Sequence, residues 1–244
     1  MKKNNRFIIE TKSLTKKYDG KAVLDNLNLA VAEGEIFGFL GHNGAGKTTT
    51  VNILTTLLVP TSGSAEICGF DTVKGSMEVK KSIGYLPENV KFYDNLTASE
   101  NLEYFAKLSG IKNSKEKVTE VLEFIEFTGI EHKKLGEFSK GMRQRIGIAQ
   151  AIMHEPKVLF LDEPTSGLDP MGIKKLREVI LKLNREKRMT IFMNTHLLSE
   201  VAKVCTTIGV LNHGKLVYKE TLENMLKRFS DEESLEDIYF TIGE

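Results

Sequence analysis

The sequence predicts an α/β protein: buried strands alternating with helices, an antiparallel set of strands in front, and a block of helices inserted midway. Three observations point there. IFGFL (36–40) is a short, wholly apolar run that passes into a Gly-rich loop and then a helical stretch, as expected of a strand buried on both faces. KVLFLDE (157–163) and TIFMNTH (190–196) repeat that pattern on either side of an amphipathic segment, GIKKLREVILKLNREKR. Between the two halves, from about residue 96, the character changes and apolar residues recur at helical spacing.

Taken in order, FIIETKSLTKKY and KAVLDNLNLAV mix apolar and polar positions around Asp19-Gly20, a turn pair, and read as a hairpin. AEGE is a second turn before IFGFL. GHNGAGKTTTVNILTTLL is a loop followed by a helix that Pro60 and TSGS bring to an end. AEICGFDTV and KKSIGYLPE read as further short strands. Two helices follow in LTASENLEYFAKLSG and KEKVTEVLEFIEFTGI. Thr97 and Glu100 have the spacing of a capping box, and Gly110 and Gly129 suit helix ends. A third helix starts near Ser139 and stops at Glu155-Pro156. TTIGVLNHGKLVYKE reads as a hairpin turning at Asn212-His213-Gly214, and the charged stretch TLENMLKRFSDEESLEDIYFTIGE as helical. The expected organisation is one domain over 1–218, with a core of 1–88 and 158–218, a helical insert at 89–157, and a C-terminal helical extension at 219–244.

Composition removes several classes of function. Lys and Arg number 34 against 33 Asp and Glu, so there is no basic excess to track a nucleic-acid backbone, and no nucleic-acid partner is expected. No apolar run reaches the ~18 residues of a membrane span. MKKNNRFIIE has a basic start without the apolar stretch of a signal peptide. The expected compartment is therefore the cytosol. Cys68 and Cys205 lack disulfide-framework or metal-ligand spacing and read as two buried, reduced thiols.

The chemistry is concentrated in four places. Gly41, His42, Asn43, Gly44, Ala45, Gly46, Lys47 and Thr48 fit G-x-x-x-x-G-K-[ST] between a strand and a helix. The glycines let backbone N–H groups curl round phosphates, Lys47 reaches the β- and γ-phosphates, and the Thr48 hydroxyl meets Mg²⁺. The run resembles the phosphate loop of a P-loop NTPase, and a P-loop NTPase core is expected. KVLFLDE ends in two acids: Asp162 suits the Mg²⁺ shell, and Glu163, directed elsewhere, suits the attacking water as base. His196 ends the next apolar strand, where ligand crevices form in parallel sheets. In FSKGMRQR, Ser139 and Gly141 begin a helix whose dipole favours an anion. That helix lies in the insert, in a different lobe from Lys47. A phosphate site without its own lysine makes sense if the γ-phosphate comes from a second copy, two copies facing head to tail.

GHNGAGKT, FSKGMRQR, VLFLDEPTSGLD and NTH lie in the order and approximate spacing of the ATP-binding subunit of an ABC transporter, and the resemblance covers about residues 6 to 218. It implies an ABC ATPase using ATP and Mg²⁺. FSKGM resembles the family's signature motif, which makes Ser139, Lys140, Gly141 and Met142 nucleotide contacts. Ser166-Gly167-Leu168-Asp169 resembles the D-loop, which adds Asp169. Thr49 continues the phosphate loop. Tyr18 matches the adenine-stacking aromatic and His196 the switch histidine. Glu88 stands where the family usually has its lid glutamine, a position that serves both catalysis and the metal. Two features depart from the commonest pattern: Lys140 and Met142 in place of Gly and Gln, and Glu88 in place of Gln. A lid carboxylate can still ligate Mg²⁺, but its charge adds repulsion near the γ-phosphate. Both variants, and the ending SLEDIYFTIGE, resemble the type 2 exporter branch of drug, antibiotic, polysaccharide and sodium efflux systems.

The resemblance further implies a separate integral membrane permease, a second nucleotide-binding subunit, the same or related, and a peripheral position on the cytoplasmic face of the cell membrane. The segment after Glu88 is where the family grips its permease, and Phe92 and Tyr93 are candidate contacts, with burial under the helical lobe as the alternative. A soluble ABC protein of translation or DNA repair is the competing reading. Such proteins carry two cassettes or a long coiled-coil insertion, and this chain has one cassette and no heptad run. A P-loop kinase has no need of FSKGM or SGLD.

Overall fold

The computed structural model of the chain describes residues 7–228. Strands β1 (Phe7–Tyr18) and β2 (Lys21–Ala32) pair antiparallel across Asp19-Gly20. Strand β3 (Ile36–Leu40) runs into helix α1 (Lys47–Leu54). Then come β4 (Ser62–Ile67), β5 (Phe70–Asp71), helix α2 (Ser76–Ser82) and β6 (Ile83–Leu86). Helices α3 (Ala98–Leu108), α4 (Ser114–Phe124) and α5 (Lys140–Ile152) form the insert. They are followed by β7 (Val158–Asp162), α6 (Pro170–Lys187), β8 (Thr190–Asn194) and α7 (Leu198–Val204). The described chain closes with β9 (Thr207–Asn212), β10 (Lys215–Thr221) and α8 (Leu222–Arg228). The rest of the predicted C-terminal helix, with SLEDIYFTIGE, lies outside the described residues.

Two sheets result. One is antiparallel, in the order β2-β1-β4-β5; the other runs β10-β9-β3-β8-β7-β6, with only β10 antiparallel to its neighbour. Period-two alternation in the larger sheet sorts its side chains into two layers. Phe37, Phe39, Phe160 and Phe192 face the antiparallel sheet and α1. Their rings meet at centroid distances of 5.2 to 5.3 Å across neighbouring strands, and each buried Phe contributes roughly 1.5–3 kcal/mol. Ile36, Leu40, Leu159, Leu161, Ile191 and Met193 point the other way, into a core shared with α3 to α7. The apolar runs are continuous because both faces are covered.

The three helices of the insert form where the periodicity predicts them, but α4 stops at Phe124 and not at Gly129: Glu126 takes φ 54° and the Phe127 N–H returns to the Leu122 carbonyl. Thr97 caps α3 with a full capping box: its hydroxyl accepts from the Glu100 N–H, and Glu100 reaches back to the Thr97 N–H. Buried Asn101 holds both the N–H and the carbonyl of Tyr93.

Three further local expectations differ from the structure, and one helix was not foreseen. KKS, read as the start of a strand, belongs to α2, which buries only Val79 and so carries no helical period. Helix α1 ends at Leu54, well before Pro60. Thr56 takes φ 64°, and the N–H groups of Leu57 and Leu58 both return to the Asn52 carbonyl, closing the helix early. Helix α7 had no reading at all. Cys205 is buried as expected, whereas Cys68 is only half-buried.

Candidate nucleotide site

Strands β3, β8 and β7 lie side by side and parallel. Their carboxyl ends therefore open on one crevice, the place where α/β sheets bind ligands. A cavity of about 370 Å³ occupies it. His42, Asn43, Gly44, Gly46, Lys47, Thr48 and Thr49 form its floor. Gly46 sits at φ 108° as the N-cap of α1, a conformation that suits glycine, and a side chain there would press on the Val23 carbonyl. The first turn of α1 has no acidic residue, so its free N–H groups and dipole face the cavity without a competing anion.

Lys47 is buried, and its ammonium donates to the Gly41 carbonyl at 2.5 Å and the His42 carbonyl at 3.3 Å. Burial lowers its pKa, and the charges of Glu163 and Asp162 work against that shift. The opposite wall carries those acids. Asp162 ends β7 directly across from Asn194 of β8 and accepts from its Nδ2 at 2.5 Å. The Tyr85 hydroxyl donates to the same carboxylate. Burial pushes Asp162 up from the ordinary carboxylate range; the Asn194 hydrogen bond opposes this, and the charges of Glu163 and Glu88 add to it. Burial and the neighbouring Asp162 push Tyr85 up to about 12, which keeps it a hydrogen donor.

Glu163 takes φ 46° and donates its N–H to the Asn194 carbonyl at 2.8 Å. This turn swings its carboxylate away from Asp162, and His196 Nδ1 lies 2.9 Å from Glu163 Oε2. Glu88 completes the cavity wall. Its carbonyl accepts from Gln144 Nε2 of α5 at 3.0 Å.

Residues predicted from sequence thus meet at one place from four distant stretches: the loop residues, Glu88, Asp162 with Glu163, and His196. Gly41 and Ala45 lie buried beneath the loop outside the cavity lining, and a Cβ on Gly41 would come 2.5 Å from the Leu211 carbonyl. Tyr18 ends β1 and is 46% exposed, with the Lys16 ammonium 5.1 Å from its ring centre, away from the cavity wall. Ser139, Lys140, Gly141 and Met142 are not in the wall either. Ser139 caps α5, its Oγ accepting from the Met142 N–H at 3.3 Å, and its face is open to solvent. Asp169 caps α6 through the Gly172 N–H at 3.0 Å. A Cβ on Gly141 would sit 3.5 Å from Gly172 Cα, so these two helix starts are neighbours. Two wall residues were not anticipated, Val23 and Asn194.

The donor set suits magnesium nucleotide. Thr48, Asp162 and Glu88 offer oxygens, as a hard cation prefers. Among the described residues no group of three or more His, Cys, Asp or Glu could hold a metal alone. A cation here must share its ligands with phosphates, the usual arrangement for Mg²⁺.

A parallel sheet, a phosphate loop ahead of its first helix and an acid pair on the adjoining strand define a P-loop NTPase. The family model "ABC transporter" matches residues 24–166. The bacitracin transport ATP-binding protein BcrA of Bacillus licheniformis is 46% identical over 224 residues, covering 91% of this chain and 72% of that protein. Among solved structures, an "ATP binding subunit of ABC transporter" superposes with a TM-score of 0.83 at 29% identity, over 97% of this chain and 100% of the other. The ATP-binding cassette MJ0796, solved as a dimer in a post-hydrolysis state bound to ADP and Pi, gives 0.77 at 28% identity over 88% and 98%. The chain belongs to the ABC transporter ATPase family: it binds and hydrolyses ATP to energise transport. These relatives are transporter subunits and lend no support to the reading as a soluble ABC protein of translation or repair.

Proposed function

We propose that this chain drives export by a separate integral membrane permease, on whose cytoplasmic side it sits as a peripheral subunit. No helix among the described residues is long and apolar enough to cross a membrane, which agrees with that division of labour. ATP lies with its phosphates over the loop from Gly41 to Thr49, and Tyr18 stacks on the adenine from outside the phosphate cavity. Thr48, Asp162 and Glu88 would hold Mg²⁺, which when bound would supply positive charge to the transferring phosphoryl group.

The observation that carries the reaction is the pair Glu163 and His196, 2.9 Å apart, facing Lys47 across the cavity. Glu163 takes the proton of the attacking water, and His196 holds that carboxylate and senses the γ-phosphate. A second subunit brings Ser139, Lys140, Gly141, Met142 and Asp169 to the open side of the nucleotide. The permease docks on the segment after Glu88. Phe92 is packed into the helical core there, while Tyr93 is 51% exposed and rests against Tyr104. Tyr93 is thus the better candidate contact. We also take the core as 1–88 with 158–218 and the insert as 89–157, because the acid strands return to the sheet only after α5.

The test is Glu163→Gln. Steady-state phosphate release should fall ~10²–10⁴-fold, the usual contribution of a general base, while ATP affinity is kept. A variant retaining a tenth or more of parental turnover would remove Glu163 from the role of base.

A further inference from the structure

We propose that Asn194 is a positioning residue of this site: it fixes both acids and offers its side-chain oxygen to the hydration shell of magnesium nucleotide. The inference rests on the reading above that Asp162 and Thr48 hold Mg²⁺.

The geometry is specific to this residue. Asn194 ends β8 opposite Asp162 in the parallel register and is 1% exposed. Its Nδ2 donates to Asp162 Oδ1 at 2.5 Å, and its backbone carbonyl accepts the Glu163 N–H at 2.8 Å. One residue therefore sets the direction of the Asp162 carboxylate with its side chain. With its main chain it holds the left-handed turn at Glu163, φ 46°.

The other end of the amide is the informative one. Asn194 Oδ1 is buried and accepts no hydrogen bond from the described chain, although the residue is part of the cavity wall. Turning the amide over would set its oxygen against a carboxylate oxygen, so the acceptor is locked into this orientation. A buried amide oxygen without a donor is costly, and such a group calls for a ligand or water that completes it. Asn194 lines the phosphate and cation cavity, where water bound to a divalent ion is a strong donor. An apolar or hydroxyl side chain of strand-forming type would suit the end of β8 without leaving any atom unpaired. An asparagine makes sense here when both of its ends have work.

The test separates metal affinity from nucleotide affinity. Asn194→Ala and Asn194→Leu are compared with the parent full-length chain. Mn²⁺ binding is followed by electron paramagnetic resonance at saturating ADP. Metal-free binding of a trinitrophenyl-ADP probe is followed by fluorescence in chelator. Supporting outer-shell partners usually carry ~10–100-fold in metal affinity, so a loss in that range is expected in both variants, with metal-free binding within about twofold of the parent. Asp162→Asn runs alongside. If it loses Mn²⁺ affinity and the Asn194 variants do not, the role given to Asn194 is overturned and the metal site stands. If Asp162→Asn also keeps full Mn²⁺ affinity, the metal-site reading falls and takes this inference with it. Loss of metal-free nucleotide binding in both Asn194 variants would overturn the inference too, because the residue would then belong to the scaffold.

Discussion

Asp162 illustrates how one side chain can serve the site at the expense of the fold. Burial raises its pKa above the ordinary value of 3.8, against the help of Asn194 and Tyr85. Between the unfolded and folded values the native state binds more protons than the unfolded one. Stability therefore falls as pH rises through that window, and the whole penalty is present above the folded value. Asp162→Asn removes the charge and keeps the shape. In the nucleotide-free chain it should raise the thermal midpoint at neutral pH and leave the acid midpoint nearly unchanged, as differential scanning calorimetry would read. A midpoint equal to the parent's at neutral pH would mean that the two donors already offset burial. At this scale the sequence revealed residues that belong to a pattern: Lys47, Thr48, Asp162 and Glu163 stand at fixed offsets in recognisable runs. Asn194 stands in the NTH run, but only His196 of that run had a role. The importance of Asn194 comes from lying across from Asp162 in a register that exists only once β7 and β8 pair.

The joint between the lobes is governed by close approach. Helix α5 packs against β6 so tightly that a Cβ on Gly84 would lie 2.3 Å from the Ala151 carbonyl, and one on Gly147 would lie 2.4 Å from Leu86 Cδ1. Backbone cannot yield as a side-chain tip can. Gly84→Ala should therefore cost ~1–3 kcal/mol of unfolding free energy, the usual penalty for overpacking, seen as a lower urea midpoint with unchanged slope. The same helix binds the Glu88 carbonyl through Gln144 and pairs Arg143 with Asp94 at 2.7 Å. The lid and the Ser139 helix start are thus tied to the same helix. Long elements with strong periods, such as α3 and α6, were legible in advance. The short helices α2 and α7 were not, for different reasons. One buries a single side chain, while the other, LSEVAKV, is anchored by a charge: Glu200, nearly buried, takes a forked pair of hydrogen bonds from Arg177 of α6. An ion pair between helices leaves no trace in hydropathy.

At the scale of the molecule, the phosphate cavity and the Ser139 helix start, the second anion site proposed above, do not share a wall. A single chain leaves one face of its nucleotide uncovered. The head-to-tail pairing proposed above closes it, and Glu163→Gln should trap that state. With ATP and Mg²⁺ the variant should double in mass by light scattering, and Ser139→Arg in the same background should keep it single. A variant that stays single with ATP would end the shared-site reading. The two-lobed plan was visible in the sequence as a switch of period near residue 96. The order of strands was not, since it depends on pairings between segments far apart.

That order has a consequence for how the protein is made. Ile36 of β3 finds its neighbours in Ile191 of β8 and, one residue further along, in the partnership of Phe37 with Thr207 of β9. On a ribosome adding ~5–20 residues per second, the wait between them is about 8–30 s. For that time IFGFL, every residue of which ends up buried, is an orphan segment on a nascent chain. Its safety depends on how quickly the hairpin of β1 and β2 shelters it, and on chaperones at the tunnel exit.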